Sequence, residues 1–358
     1  MPLLARMLAA PLHVDVRAGA LDDVPSLIAD GRLSSDGRFA LVVGPGIGHE
    51  VTARIGHAVA PESVFVVEDD RIETADGLAE RIRHRRVDVV VAVGGGRTLD
   101  VAKHASSRVG LPMVAVATSL AHDGIASPVS VLSVGRSRVS FGVAMPVAVV
   151  VDLELVERSP ERLLRAGVGD VVSNLGALAD WRLAQQVRGE SVDGLAASFA
   201  GAAARAVLDQ RGQLTSRPFL ACLADSLILS GMAMAVAGTS RPCSGACHEI
   251  SHAIDELHPN TATHGEQVAL GALFAFVLRD DLRTAEALAS CLQRNGLPTT
   301  PAMLGLSDAQ FVEVVRRAPS TRPDRFTILE HLEPRRGDVV AAIDVMTALS
   351  RNDAAVLR

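Results

Sequence analysis

The run Val87-Asp-Val-Val-Val-Ala-Val93 enters three consecutive glycines, Gly94-Gly95-Gly96, and no other stretch constrains the fold as strongly. An apolar run without period-two alternation belongs to a strand covered on both faces, the condition of a strand inside a parallel sheet. Three more runs have this character: Phe39-Ala-Leu-Val-Val-Gly44, Ser63-Val-Phe-Val-Val67 and Pro112-Met-Val-Ala-Val-Ala117. Helical stretches separate them, from Gly48 to about Val59, around Ala75–Arg85 and from Arg97 to Arg108. Strand and helix alternating at this pitch predict a doubly wound α/β domain over residues 1–160. Beyond Ser159-Pro160 the segments turn Ala- and Leu-rich with helical spacing: Gly169–Gln186, Leu195–Val207, Pro218–Val236, Cys247–Leu257, Gly265–Leu278 and Asp338–Ser350. Residues 161–358 are therefore expected to form a mainly helical second domain. A cleft between two domains is the usual seat of a small-molecule site.

Composition removes several classes of function. The 358 residues carry a formal net charge of −6, without a basic block, and hold one Trp, nine Phe and no Tyr. A nucleic-acid-binding surface needs basic residues and stacking platforms, so no nucleic-acid partner is expected. The longest apolar runs, Phe141–Val151, Leu227–Gly238 and Val268–Leu278, fall short of the ~18 residues a spanning helix requires, so no membrane span is expected. The N-terminus lacks a charged segment followed by a sustained apolar one, and four cysteines make no disulfide scaffold. A soluble, cytoplasmic protein is expected.

Three segments can carry chemistry. At Gly94-Gly95-Gly96-Arg97-Thr98 a strand turns into a helix, and glycines there let backbone N–H groups approach a phosphate at a helix N-terminus. Arg97 and Thr98 can add donors, and Asp100 can cap the helix. Glycines in a βα turn serve packing equally well, and the spacing is not that of G-x-G-x-x-G. The second segment, Thr118-Ser119-Leu-Ala-His122-Asp123-Gly124-Ile-Ala-Ser127-Pro128, follows a strand and so lies where open α/β sheets bind ligands. Its hydroxyls and carboxylate suit ribose, an amide or a polyol, although turns favour the same residues. Glu68, after the second strand, can accept from a ribose 2′-hydroxyl and favour NAD over NADP, or belong to a solvated acidic loop.

The third segment is a histidine cluster. His248 and His252, four residues apart, share one face of a helix, and His264 opens the next helix. Two imidazoles and a carboxylate make a divalent-metal site with a position open for substrate, and Asp170 in Gly167-Val-Gly169-Asp170 is the candidate carboxylate. Asp170 can also be a plain helix cap, and Cys243 and Cys247 beside His248 form a rival zinc set that lacks a second close pair. Arg136 and Arg138 in the hairpin Ser133-Val-Gly-Arg-Ser-Arg-Val can grip a phosphate or simply solvate a turn.

Taken together, GGGRTLDVAKHAS at 94–106, TSLAHDGIASP at 118–128, GVGDVVSNLGALADWRLA at 167–184, RPCSGACHEISHAID at 241–255 and HGEQVALG at 264–271 resemble, in order, the glycerol-1-phosphate dehydrogenase family. That family lies within the superfamily of iron-containing alcohol dehydrogenases and dehydroquinate synthases. The resemblance implies an α/β dinucleotide-binding domain followed by a mainly α-helical metal-binding domain of the dehydroquinate synthase type. It implies a divalent metal held by Asp170, His248 and His264, with zinc expected first and nickel or iron(II) able to accept the same donors. His252 and Asp123 are expected at the substrate. Gly94, Gly95, Gly96, Arg97, Thr98, Thr118, Ser119 and Ser127 are expected at NAD(P)(H). A homodimer or larger homo-oligomer is also implied.

Details separate the branches. Alcohol dehydrogenases of the superfamily usually place a histidine four residues after the aspartate, where this chain has Asn174. Dehydroquinate synthases usually have a glutamate ligand and a lysine three residues on, where this chain has Asp170 and Ser173. The family commonly reads Ser-Glu-His where Ala246-Cys247-His248 stands. The activity implied is reduction of a small phosphorylated ketone, dihydroxyacetone phosphate first, to sn-glycerol 1-phosphate, with a role in phospholipid biosynthesis. A sugar-phosphate cyclase and a dehydrogenase for a related polyol phosphate are the alternatives.

Overall fold

Valine-rich runs that fill both faces of a strand need cover on both sides, and the chain supplies it. The computed structural model describes residues 10–55, 63–135 and 137–351. Arg136, and the part of the expected first helix beyond Ile55, lie outside them. The strands are β1 (His13–Arg17), β2 (Phe39–Val43), β3 (Val64–Val66), β4 (Val89–Gly94), β5 (Met113–Ala117), β6 (Val129–Val134), β7 (Ser137–Gly142) and β8 (Ala148–Asp152). Six form one sheet in the order β1-β8-β5-β4-β2-β3, every neighbouring pair parallel, while β6 and β7 form a separate antiparallel hairpin.

The helices of the first half are α1 (Val24–Ile28), α2 (Gly48–Ile55), α3 (Ile72–Arg83), α4 (Gly96–Val109) and α5 (Leu153–Val156). One face of the sheet, built on Leu41, Val43, Val91, Val93, Val114 and Val116, packs against Leu21, Val24, Ile28, Val51 and Ile55. The opposite residues of β2, β4 and β5 include Ala40, Ala92, Ala115 and Ala117, and these small side chains admit α4. β2 leads outward to β3, whereas β4 leads to β5 on the other side. The strand order therefore reverses between β2 and β4, the position where open α/β sheets bind ligands at their carboxyl ends.

The second half is helical: α6 (Glu161–Arg188), α7 (Gly194–Asp209), α8 (Arg217–Ala237), α9 (Ala246–Leu257), α10 (His264–Leu278), α11 (Leu282–Arg294), α12 (Asp308–Arg317), α13 (Ile328–Leu332) and α14 (Arg336–Ser350). The chain divides into two compact units, one holding the residues up to Pro160 together with Thr215–Ala235, the other Glu161–Leu214 and the chain from Val236 onward. Most of α8 therefore groups with the α/β unit and not with the helical one. Gly231 is the contact that allows it, since a Cβ there would come 2.6 Å from the Ala126 and Ser127 backbone. Among the described residues α8 is also the one helix long and apolar enough to cross a membrane by length and composition, although 61% of its apolar window is buried inside the protein. Counting uninterrupted apolar runs misses it because Asp225 breaks the run.

Within the helical unit, α6 and α9 both pack on α10 at glycines. A Cβ on Gly169 would overlap the Gly265 carbonyl, and a Cβ on Gly265 would overlap the Ala166 carbonyl, so α6 and α10 touch backbone to backbone. On α10, Gly271 would meet the Cys247 Cα and carbonyl at 2.9 Å, which brings in α9. Asp180 of α6 ties the helix starts together: its carboxylate accepts the N–H groups of Ala246 and Ile328, each at 2.8 Å, and pairs with Arg279. Gly265→Ala should lower stability by about 1–3 kcal/mol, the usual cost of forcing atoms into a packed interior. Gly176→Ala on the same α6–α10 seam would meet Ala272 at an ordinary 3.6 Å and should be neutral or stabilising by up to ~1 kcal/mol. Urea unfolding of both variants checks this, and equal effects would contradict the close crossing.

Candidate functional site

The backbone contact of α6 with α10 carries Asp170 next to His264, and the contact of α9 with α10 adds His248. One ligand atom from each of Asp170, His248 and His264 lies within 4.8 Å of the other two. His264 Nε2 is 3.7 Å from Asp170 Oδ1, and the two imidazoles meet edge to face with centroids 5.0 Å apart. Zinc bonds of about 2.0–2.1 Å put tetrahedral donors roughly 3.4 Å apart, so small side-chain movements suffice to hold a divalent ion. Asp170 is not a cap. It sits inside α6, about two and a half turns from the helix start at Glu161, and is only 5% exposed.

A buried chain of hydrogen bonds aims His264. The Gln267 amide Nε2 donates to Asp255 Oδ1 at 2.9 Å and faces the Ala262 carbonyl at 3.4 Å, both acceptors only. Its Oε1 must then accept the Ser251 hydroxyl, 2.6 Å away. Ser251 Oγ, with its proton committed, accepts from His264 Nδ1 at 3.1 Å. The tautomer so assigned keeps the lone pair on Nε2, the nitrogen facing Asp170. His248 is held neutral, its pKa well below the usual value through burial first and then through His264, Arg322, His252 and Arg325.

The rival cysteine set does not assemble: Cys247 Sγ lies 3.3 Å from His248 Nδ1, but burial pushes its thiol up to about 12. Among the described residues the metal-competent group is Asp170, His248 and His264.

His252, one turn along α9, accepts a hydrogen bond at Nε2 from Arg322 at 3.1 Å. Burial first, then the Arg322 and Arg325 charges, push its pKa down to about 4, so the imidazole is neutral with its proton on Nδ1. Glu249 is wholly buried and goes the other way, up to about 9, through burial and then the neighbouring Glu330 and Asp180.

In the α/β unit the three glycines of the βα turn all have packing reasons. Gly94 faces Thr98, with a built Cβ 2.6–3.0 Å from its side chain; Gly95 faces Ser119 Oγ at 2.9 Å; Gly96 faces the His122 ring. Gly44, at the end of β2, also faces Thr98 Oγ1 at 2.9 Å, so Thr98 joins the two strand ends at the reversal point. Thr118 donates its N–H to the Gly94 carbonyl at 3.0 Å, and Arg97 reaches the Glu68 carbonyl at 3.1 Å. The N-cap of α4 is Gly95, with no side chain bonded to the first-turn N–H groups. That leaves the arrangement by which helix starts take phosphates.

One expectation here needs correction: Asp100 does not cap α4; it pairs with Lys103 at 3.1 Å. Ser127 is 1% exposed and its hydroxyl donates to the Val129 carbonyl at 3.4 Å. Asp123 opens a short turn whose carbonyl accepts the Ala126 and Ser127 N–H groups at 3.0 Å. Arg138 pairs with Asp70 at 3.3 Å.

The sequence reading missed Lys103, a fully buried ammonium that donates to the carbonyls of Gly124, Ser127 and Val129 and so holds the Asp123 loop. The signal was Asp100-x-x-Lys103, an ion pair at helical spacing. It also missed Arg322 and Arg325, because Arg322-Pro-Asp-Arg325 has the composition of a solvated turn.

Residues 15–160 match the family model described as iron-containing alcohol dehydrogenase. The chain is 38% identical over 286 residues to a glycerol-1-phosphate dehydrogenase [NAD(P)+] of Archaeoglobus fulgidus, covering 78% of this chain and 82% of the relative. It is 38% identical over 333 residues to the protein of that name in Thermofilum pendens, covering 91% and 94%. Among solved structures, a probable glycerol dehydrogenase from Sinorhizobium meliloti superposes with a TM-score of 0.77 at 23% identity, covering 98% of this chain and all of that one. The last likeness concerns the fold alone.

Ser251→Ala frees His264 to turn and should weaken Zn²⁺ affinity about 10- to 100-fold without loss of the fold. Competition with a chromogenic chelator measures it, and unchanged affinity would remove Ser251 from the ligand-orienting chain.

Proposed function

The chain belongs to the glycerol-1-phosphate dehydrogenase family, and from that premise we propose that it catalyses reversible, metal-dependent hydride transfer between NAD(P)H and a small phosphorylated ketone. Dihydroxyacetone phosphate is the first candidate, and sn-glycerol 1-phosphate the product. The convergence of Asp170, His248 and His264 carries this, in a chain whose relatives bear the name glycerol-1-phosphate dehydrogenase [NAD(P)+]. The two-nitrogen, one-oxygen donor set suits zinc first, with nickel or iron(II) able to take its place. A divalent ion held there supplies Lewis-acid stabilisation of the charge that develops on the carbonyl oxygen.

The chain's own residues supply positioning and protons. First-turn N–H groups of α4, with Arg97, hold the dinucleotide pyrophosphate, and Thr118 and Ser119 bind its nicotinamide end. Asp123 accepts a substrate hydroxyl and orients the carbonyl. His252 is neutral and engaged at Nε2 by Arg322, so its part is to hold a water through its Nδ1–H while keeping that proton. That water relays a proton from solvent to the new alkoxide, which becomes the product hydroxyl. Lys103 keeps the Asp123 loop in register. On the family resemblance alone we also infer a cytoplasmic homodimer or larger homo-oligomer that serves phospholipid biosynthesis.

NADH or NADPH absorbance after adding dihydroxyacetone phosphate to Zn²⁺- or Ni²⁺-loaded protein is the test. Chelator-sensitive oxidation yielding the sn-1 isomer is expected, and His264→Ala should lose metal and turnover together with little change in cofactor affinity. No consumption of either cofactor by metal-loaded protein would overturn the substrate assignment.

A further inference from the structure

Three arginines converge behind His252, and they differ in how their charge is met. Arg241 is 5% exposed and fully answered: it donates from Nε to Glu190 at 2.6 Å and from the guanidinium to the Phe326 carbonyl at 2.9 Å. Arg322 and Arg325 have no such carboxylate. Arg322 reaches His252 Nε2 at 3.1 Å and Ser240 Oγ at 3.4 Å. Arg325 reaches the same Ser240 Oγ at 3.0 Å and the Ser244 carbonyl. Among the described residues neither forms an ion pair, so two half-buried cations share one neutral hydroxyl. Burial, followed by the neighbouring Arg322 and Arg241 charges, brings Arg325 down to about 10, still cationic at neutral pH. Each guanidinium carries five N–H donors, and these contacts use two apiece.

Two like charges held together half-buried, with donors to spare, are an arrangement an anion completes. We propose that Arg322 and Arg325, with Ser240, form the seat of the substrate's phosphoryl group. The seat rests on the proposed phosphoketone reduction and names its specificity element. Planar guanidinium forks suit a phosphate monoester, whose oxygens accept paired N–H donors. The location also fits a short substrate. Arg322 touches His252, which lies four residues, about 6 Å of helix rise, beyond the metal-site His248. In a three-carbon phosphoketone only a CH₂–O link separates the carbonyl carbon from phosphorus, so one small molecule can engage both ends. Arg138, the hairpin arginine considered from sequence, is already paired with Asp70 and is not required.

The test uses the full-length protein and inorganic phosphate as probe, by calorimetry, alongside kinetics with dihydroxyacetone phosphate and unphosphorylated dihydroxyacetone. Arg322→Gln and Arg325→Gln should each weaken phosphate binding about 30-fold or more. They should also lower kcat/KM for the phosphorylated ketone at least tenfold more than for the unphosphorylated one. Arg138→Gln should leave phosphate binding unchanged. Arg325→Lys, which keeps the charge, covers the case in which the glutamine variant unfolds, and should recover part of the binding. Phosphate binding that survives both glutamine substitutions, or equal losses for the two ketones, would overturn the seat. Arginine-dependent phosphate binding without any ketone reduction would overturn the proposed reaction and leave the seat standing. Reduction of dihydroxyacetone phosphate without arginine dependence would do the reverse.

Discussion

Backbone contact between helices is the constraint on which the metal-competent group depends. Asp170, His248 and His264 come from three helices, and ligand atoms can meet within a few ångströms only if those helices approach more closely than side chains normally permit. Gly169 and Gly265 let α6 and α10 touch, and Gly271 admits α9 at Cys247. Helix axes usually lie 8–10 Å apart, the distance being set by the side chains at the contact. Removing those side chains costs helix propensity, roughly 1 kcal/mol for each glycine relative to alanine. Packing of the long helices against one another offsets that cost.

Once the helices are close, polar groups decide the orientation of the ligands. The Asp255–Gln267–Ser251–His264 chain has one consistent arrangement of protons, because it begins at a carboxylate that can only accept. Asp180 acts on a larger scale, capturing the starts of α9 and α13 and the Arg279 guanidinium from one buried position. Gly245 permits this, since a Cβ there would overlap the Asp180 carboxylate. In the α/β unit Lys103 does comparable work for the Asp123 loop.

Much of this was legible in the residue pattern. Continuous valine runs marked β2 to β5, and the histidine spacing with Asp170 named the three side chains that the structure brings together. The failures have physical causes. The helical spacing marks a segment from Gly169, whereas α6 begins at Glu161 and Gly167 and Gly169 lie in its interior. β1 escaped notice because Val14 and Val16 alternate with polar residues, as befits an edge strand. α11 and α12 carry apolar stripes spaced around charged residues, without a conspicuous Ala- or Leu-rich block. Arg322 and Arg325 could not be told from surface arginines, since their burial comes from elements remote in sequence.

The central claim is that helix contact at glycines builds a two-imidazole, one-carboxylate metal centre with no sulfur in it. X-ray absorption at the zinc edge of the zinc-loaded protein tests that directly. The account predicts a first shell of nitrogen and oxygen at about 2.0–2.1 Å, with the multiple scattering of two imidazoles. A sulfur shell at about 2.3 Å would contradict it, because the metal would then sit on Cys247 or Cys243 and not on Asp170, His248 and His264.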